Sequence, residues 1–325
     1  MTAARFGPAR PEFDPELRAS LAVVGGMFPP TITPELIGFM RASYASPPIE
    51  ATLEQRGITR TDHTVPGYGG DDIAVSVLTA DTGAQLPRVG VLFAHSGGLM
   101  FGDRFSGIDL VLDWVTDFGA ALVTVEYRLA PEYPDPVPRE DVFAALCWVH
   151  DHAAELGIRS DGIMLAGASA GGNLIAGAAL AVRDRGGPPL IGQVLDYPML
   201  DDRGGGYSLD QFDGVGVWDR VSNDTGWHAL LGDARGGPDV SPYAAPARAE
   251  DLSGLPPTFL TVGSAEIFRN ETADFAERMW RAGGNAELHI WPGAFHGADI
   301  FAPHTRVGRA MIQTRNAWVE HLLVG

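Results

Sequence analysis

The chain has 325 residues, 45% hydrophobic and 20% charged, enough apolar material for a substantial core in one large domain or two ordinary ones. Its formal net charge is −18, from 23 basic and 41 acidic residues, so phosphate backbones and anionic lipid are repelled and nucleic-acid and membrane partners are not expected. Every basic residue counted is arginine, which excludes a P-loop lysine, a lysine Schiff base and a Ser–Lys nucleophile pair.

Residues 1–55 are punctuated by proline and amphipathic, in "PELRASLAVVGGMF" and "TPELIGFMRASY", and predict two short helices ahead of the main fold. The N-terminus has no apolar signal-peptide core, and no apolar run approaches the roughly 18 residues of a membrane span. The expectation is a soluble, cytoplasmic protein. Two β-like stretches follow, "GITRTDHTVPG" and "DIAVSVLTAD", joined by a turn at "YGGDD".

From residue 88 short apolar runs alternate with amphipathic helices. "RVGVLFAH" and "AALVTVEY" are strands, and "REDVFAALCWVHDHAAEL" is a helix containing Cys147, the lone cysteine, which is expected to pack as a buried residue. "GIMLAGASAGG" leads into the helix "NLIAGAALAV". "LIGQVLDYP", "PTFLTVGSAE" and "AELHIWPGAFHG" are further strands, with helices at "RNETADFAERMWRAGG" and "RVGRAMIQTRNAWVEHLL". Fully apolar short strands alternating with helices predict an α/β fold, a mostly parallel sheet covered on both faces. Residues 201–250 break the rhythm: they are glycine-rich, acidic and aromatic, and too long for a plain connection. Phe212, Trp218 and Trp227 favour an ordered cap there.

In an open parallel sheet, ligands bind beyond the carboxyl ends of the strands. Four such ends carry reactive or permissive residues: "HSGG" at 95–98, Ser169 in "GASAGG", Glu266 in "SAEIFRNE", and His296 in "PGAFHG". Gly-x-Ser-x-Gly alone also reads as a glycine-rich turn with a serine helix cap, but the order Ser, acid, His is that of an α/β-hydrolase. A serine hydroxyl needs a positioned base to attack a carbonyl, and His296 has the right basicity. The carboxylate of Glu266 would fix the imidazole tautomer, with Asp299 as the other candidate acid. The oxyanion of a tetrahedral intermediate needs preorganised donors, which the N–H groups of Gly97, Gly98 and Ala170 can supply. His95 is expected to brace its loop. His150 and His152, two apart on a helix, point away from each other and predict no metal pair.

Taken together, "HSGG", "GASAGG", "YRLAPEYPDPVP", "SPYAAP" at 241–246 and "FHG" resemble the hormone-sensitive-lipase-like family of α/β-hydrolases, the bacterial serine carboxylesterases, from about residue 60 to the end. The resemblance implies one α/β-hydrolase domain over 1–325, with a helical cap from about 1–55 and 201–250. It implies a triad of Ser169, Glu266 and His296, and oxyanion donors at Gly97, Gly98 and Ala170. Three residues depart from the family pattern: Ser96 stands for the first glycine, Ala168 for an acid, and Glu266 for the usual aspartate. The function expected is hydrolysis of small, neutral, hydrophobic short- to medium-acyl esters, with no cofactor and no metal. Phe28, Ile37, Phe39, Met40 and Tyr44 would give the cap its apolar lining. Amide, carbamate or lactone hydrolysis on the same triad, a non-catalytic receptor on the same fold, and a homo-oligomeric state stay open.

Overall fold

The computed structural model describes residues 9–29, 31–83 and 87–324; residues 1–8 of the expected cap segment lie outside the described residues. Among its described residues, the N-terminal segment forms three α-helices where two helices are expected: α1 (Pro15–Val24), α2 (Ile37–Ser43) and α3 (Glu50–Gln55). α1 starts as its sequence suggests, with Pro15 in the first turn and the Asp14 carboxylate accepting the N–H groups of Glu16 and Leu17. α3 is too short to show a periodic pattern. It is held by tertiary packing, through the buried Leu53.

β1 (Ile58–Pro66) and β2 (Asp72–Ala80) fall on the two expected β-like stretches and pair antiparallel, in register from Ile58 opposite Ala80 to Pro66 opposite Asp72. Then follow β3 (Arg88–Ala94), α4 (Leu112–Thr116), β4 (Ala121–Val125), α5 (Val137–Asp151), β5 (Ile158–Ala168), α6 (Ala170–Arg185) and β6 (Leu190–Asp196). The insertion carries α7 (Tyr207–Gln211) and α8 (Arg220–Leu231). β7 (Thr258–Gly263), α9 (Arg269–Arg281), β8 (Ala286–Trp291), α10 (Ala298–Phe301) and α11 (Arg306–Val324) complete the chain. Among the described residues the sheet has eight strands, ordered β1-β2-β4-β3-β5-β6-β7-β8. β2 runs antiparallel to both neighbours and the strands beyond it are parallel. This is an α/β-hydrolase fold.

The apolar runs become the buried centre. Val91–Phe93, Ile163–Leu165, Val194, Leu195, Phe259 and Leu260 are all buried, as strands covered on both faces require. α9 shows the complementary pattern, burying Thr272, Phe275, Ala276 and Met279 at spacings of three and four. α5 stops at Asp151 rather than continuing to residue 156, and Gly157, with φ of 65°, turns the chain into β5. Cys147 is half-buried rather than fully packed away. In the insertion, Phe212, Trp218 and Trp227 are buried, so that segment is ordered around its aromatics.

The β5–α6 junction is tightly packed. A Cβ on Gly171 would collide with the backbone carbonyl of Ala94 at the end of β3, and one on Gly172 would press on Pro198. Gly171→Ala therefore forces β3 and α6 apart. Its expected cost is about 1–3 kcal/mol, read as a lowered urea midpoint, and an unchanged midpoint would show that the junction yields freely.

Candidate active site

Ser169 sits in this junction with φ of 56° and ψ of −118°, a conformation that L-residues rarely adopt. Neighbouring backbone holds it there. Its N–H donates to the carbonyl of Asp196 at 2.8 Å, and its carbonyl accepts from Asn173 and Met199, each at 3.1 Å. Asn173 then clamps α6 to two loops, donating to the carbonyls of Met199 and Ala244. Ala244 belongs to the 241–246 motif, whose Tyr243 carbonyl lies where a side chain on Gly177 would need to be. The motif is thus a backstop for α6.

The three expected catalytic side chains meet at the carboxyl edge of the sheet. His296 Nε2 is 3.0 Å from Ser169 Oγ, and His296 Nδ1 is 2.7 Å from Glu266 Oε2. All three residues are buried. The other carboxylate oxygen of Glu266 accepts the N–H of Gly263 at 2.8 Å, which orients the acid. Two rings flank the imidazole edge-on: Tyr197 at 4.8 Å and Phe268 at 5.2 Å between centroids. The hydroxyl, imidazole and carboxylate thus lie in one hydrogen-bonded line.

Gly97 and Gly98 line the same cleft as Ser169 and His296. Both have positive φ, 125° and 58°. A Cβ on Gly97 would run into the carbonyl of Phe101, and one on Gly98 into the ring of Trp218. Ala170 is the first residue of α6, so its N–H has no acceptor within the helix. The loop is braced from below. His95 is fully buried, stacked on Tyr127 at 4.1 Å, with Nδ1 at 2.7 Å from the carbonyl of Ser96. Burial pushes its imidazole down, which keeps it neutral, and this is the bracing role the sequence suggests. The "YRLAPEYPDPVP" segment adds further ties. The Tyr127 hydroxyl donates to the carbonyl of His95, and Ala130 N–H to that of Leu99.

Asp299, the other candidate acid, points elsewhere. It accepts from the Tyr197 hydroxyl at 3.1 Å and from Arg315 at 2.6 Å; Arg315 also reaches Asp196 at 3.1 Å. Arg315 is fully buried on α11, with both carboxylates beside it. Burial pushes the Asp196 carboxyl up, against the pull of Arg315. This buried group holds the ring that flanks His296. Sequence reasoning missed Tyr197 and its support, although "DYP" stands at a strand end like the residues that were found.

The cleft's apolar walls come from both expected cap segments. Phe28, Ile32, Met40 and Tyr44 line it from the N-terminal side, and Val217 and Trp218 from the insertion. Ile37 and Phe39 do not line it: Met40 occupies the buried face of α2, and Phe39, one residue earlier on the turn, is exposed. The two segments are joined at the start of α8. Asp219 caps that helix, accepting from Ser222 and Thr31, while the Ser222 hydroxyl accepts the N–H of Ile32. Among the described residues, no group of three or more His, Cys, Asp or Glu could hold a metal ion, and no helix is long and apolar enough to cross a membrane.

A family model for the α/β-hydrolase fold matches residues 91–300. The chain belongs to this family, in its hormone-sensitive-lipase-like branch. It is 36% identical over 309 residues to the carboxylesterase NlhH of Mycobacterium tuberculosis, covering 90% of this chain and 91% of the relative. Among solved structures, a bacterial heroin esterase superposes with a TM-score of 0.86 at 34% identity, over 96% of this chain and 98% of that one. The esterase LipW from Mycobacterium marinum gives a TM-score of 0.83 at 31% identity, with the same coverage. This hydrolase is an enzyme of the carboxylesterase-type serine class.

The buried Asp196–Arg315–Asp299 group yields a stability prediction. Arg315→Ala leaves two adjacent buried carboxylates without their cation, at a cost of about 3–5 kcal/mol when both are ionised. The loss, read from urea unfolding, should be greatest at alkaline pH and shrink as the pH falls and Asp196 takes up a proton. A variant as stable as the parent at alkaline pH would show that Arg315 does not hold this group together.

Proposed function

We propose that this hydrolase cleaves small, neutral, hydrophobic short- to medium-acyl carboxylic esters through an acyl-serine intermediate. Ser169 is the nucleophile, His296 the general base and acid, and Glu266 the carboxylate that orients and charge-balances the imidazole. The observation that carries this reading is the line from Glu266 through His296 to Ser169, at 2.7 and 3.0 Å, opening into an apolar cleft.

The mechanism follows from that line. Ser169 Oγ adds to the ester carbonyl carbon while its proton passes to His296 Nε2. Glu266, fixed by the N–H of Gly263, stabilises the imidazolium. The carbonyl oxygen becomes an oxyanion facing the N–H groups of Gly97, Gly98 and Ala170, whose fixed orientation lowers the barrier without reorganisation. The intermediate collapses, the C–O bond to the alcohol breaks, and His296 gives its proton to the departing alkoxide. Water then repeats the sequence on the acyl-enzyme: His296 takes a proton from it, the new oxyanion forms and collapses, and the proton returns to Ser169 Oγ as the acid leaves.

The substrate class rests on the walls of the cleft and on the charge of the chain. Phe28, Met40, Phe101 and Trp218 offer apolar contact, and among the described residues no arginine lines the cleft to hold an anionic ester. A net charge of −18 disfavours anionic substrates at long range as well. Residues 9–55 and 201–250 act as one cap on a single hydrolase domain, joined through Asp219 and Ser222.

Glu266 offers the sharpest test. Glu266→Gln keeps the shape but removes the charge and permits the wrong imidazole tautomer, with an expected loss of about 10⁴-fold in kcat. Glu266→Asp retracts the carboxylate and should lose about 100-fold. Asp299→Asn should stay within about tenfold, since Asp299 serves Arg315 and Tyr197 rather than His296. Kinetics on a p-nitrophenyl ester check all three; an active Glu266→Gln beside a crippled Asp299→Asn would move the acid to Asp299.

A further inference from the structure

Ser96, which departs from the family pattern, has a partner. Its hydroxyl lies 2.9 Å from the hydroxyl of Tyr44, across 52 residues of sequence. A glycine at 96 could make no such bond. Tyr44 follows α2, and its ring is packed edge-on against Phe101 at 5.2 Å and Phe28 at 5.9 Å. These contacts set the ring across the molecule at a particular place. A second cavity lies beside the catalytic cleft, and Phe28, Tyr44, Ile300 and Phe301 line both. The second cavity has Pro47, Pro48, Ile49 and Ile108 among its own walls, so it too presents apolar surface.

We propose that Tyr44 is a specificity-determining residue, a partition latched by Ser96 that closes the catalytic cleft against the second cavity and so limits the length of the aliphatic arm the cleft accepts. The inference rests on the esterase reading above. Tyr44 differs from the other shared wall residues in being held by a polar bond as well as by packing. The backbone beyond it is anchored separately: Ser46 N–H donates to Asp103 at 2.8 Å, and the Ser46 hydroxyl pairs with that of Ser106 at 3.2 Å. Removal of the Tyr44 side chain therefore opens the wall without releasing the loop. A longer chain can then run from the cleft into the second cavity, and each methylene it buries there favours binding in the transition state.

The test uses two ester series on the full chain. In p-nitrophenyl acetate, butyrate, octanoate and dodecanoate the acyl arm grows; in the corresponding alkyl acetates the alcohol arm grows. Tyr44→Ala should raise kcat/KM for the longest member relative to the shortest by about tenfold or more in one series, since even one additional methylene in an apolar pocket is worth about tenfold. The series that responds names the arm. Tyr44→Ala with Ile49→Phe refills the second cavity from its own wall and should return the ratio towards the parent value. Tyr44→Phe, which keeps the ring and loses only the latch, covers the case in which the alanine variant fails to fold; it should raise the same ratio by a smaller factor. Active Tyr44 variants whose ratios match the parent in both series overturn the partition alone. A parent enzyme inactive on every ester overturns the esterase reading and the partition with it.

Discussion

The positive φ at Ser169 is the constraint around which the site is built. A non-glycine residue held there carries about 1–3 kcal/mol of strain, and it persists only where the surroundings leave no alternative. Here the surroundings are β3, β6 and α6. The Asp196 carbonyl takes the serine N–H, Asn173 and Met199 take its carbonyl, and the missing side chains at Gly171 and Gly172 let Ala94 and Pro198 close in. The hydroxyl is thereby lifted to the carboxyl edge of the sheet, where the loops after β3, β7 and β8 deliver the glycines, Glu266 and His296.

Much of this was legible in the sequence because strand ends are legible. Apolar runs bounded by glycine and proline mark where β3, β5, β7 and β8 stop, and the residues just beyond them are the ones that converge. Tyr197 follows the same rule after β6, yet a tyrosine flanking a histidine has no motif to announce it. Arg315 was invisible for a different reason. An arginine in an amphipathic C-terminal helix reads as solvent-facing, and only tertiary structure shows Asp196 and Asp299 beside it. The cap was legible as composition but not as geometry. On α2, Met40 reaches the cleft and Phe39 does not, a difference that a seven-residue helix carries too few turns to show in sequence.

The carboxylate of Glu266 lies behind His296, not on the cleft wall. Among the described residues no arginine lines the cleft; Arg41, beside the lining residue Met40, is bound to the carbonyls of Met100 and Ala130 and to Glu132. Arg315 acts one layer down, through the tyrosine that flanks the histidine. Ser169 and the Tyr44–Ser96 pair bring hydroxyls to the lining of the cleft.

The central claim is that Ser169 becomes covalently acylated. Intact-mass spectrometry after reaction with a fluorophosphonate, followed by peptide mapping, measures whether that oxygen is the nucleophile. The account predicts a single adduct on the peptide containing Ser169, and none in Ser169→Ala under the same conditions. An adduct on another residue, or equal labelling of the alanine variant, would contradict it.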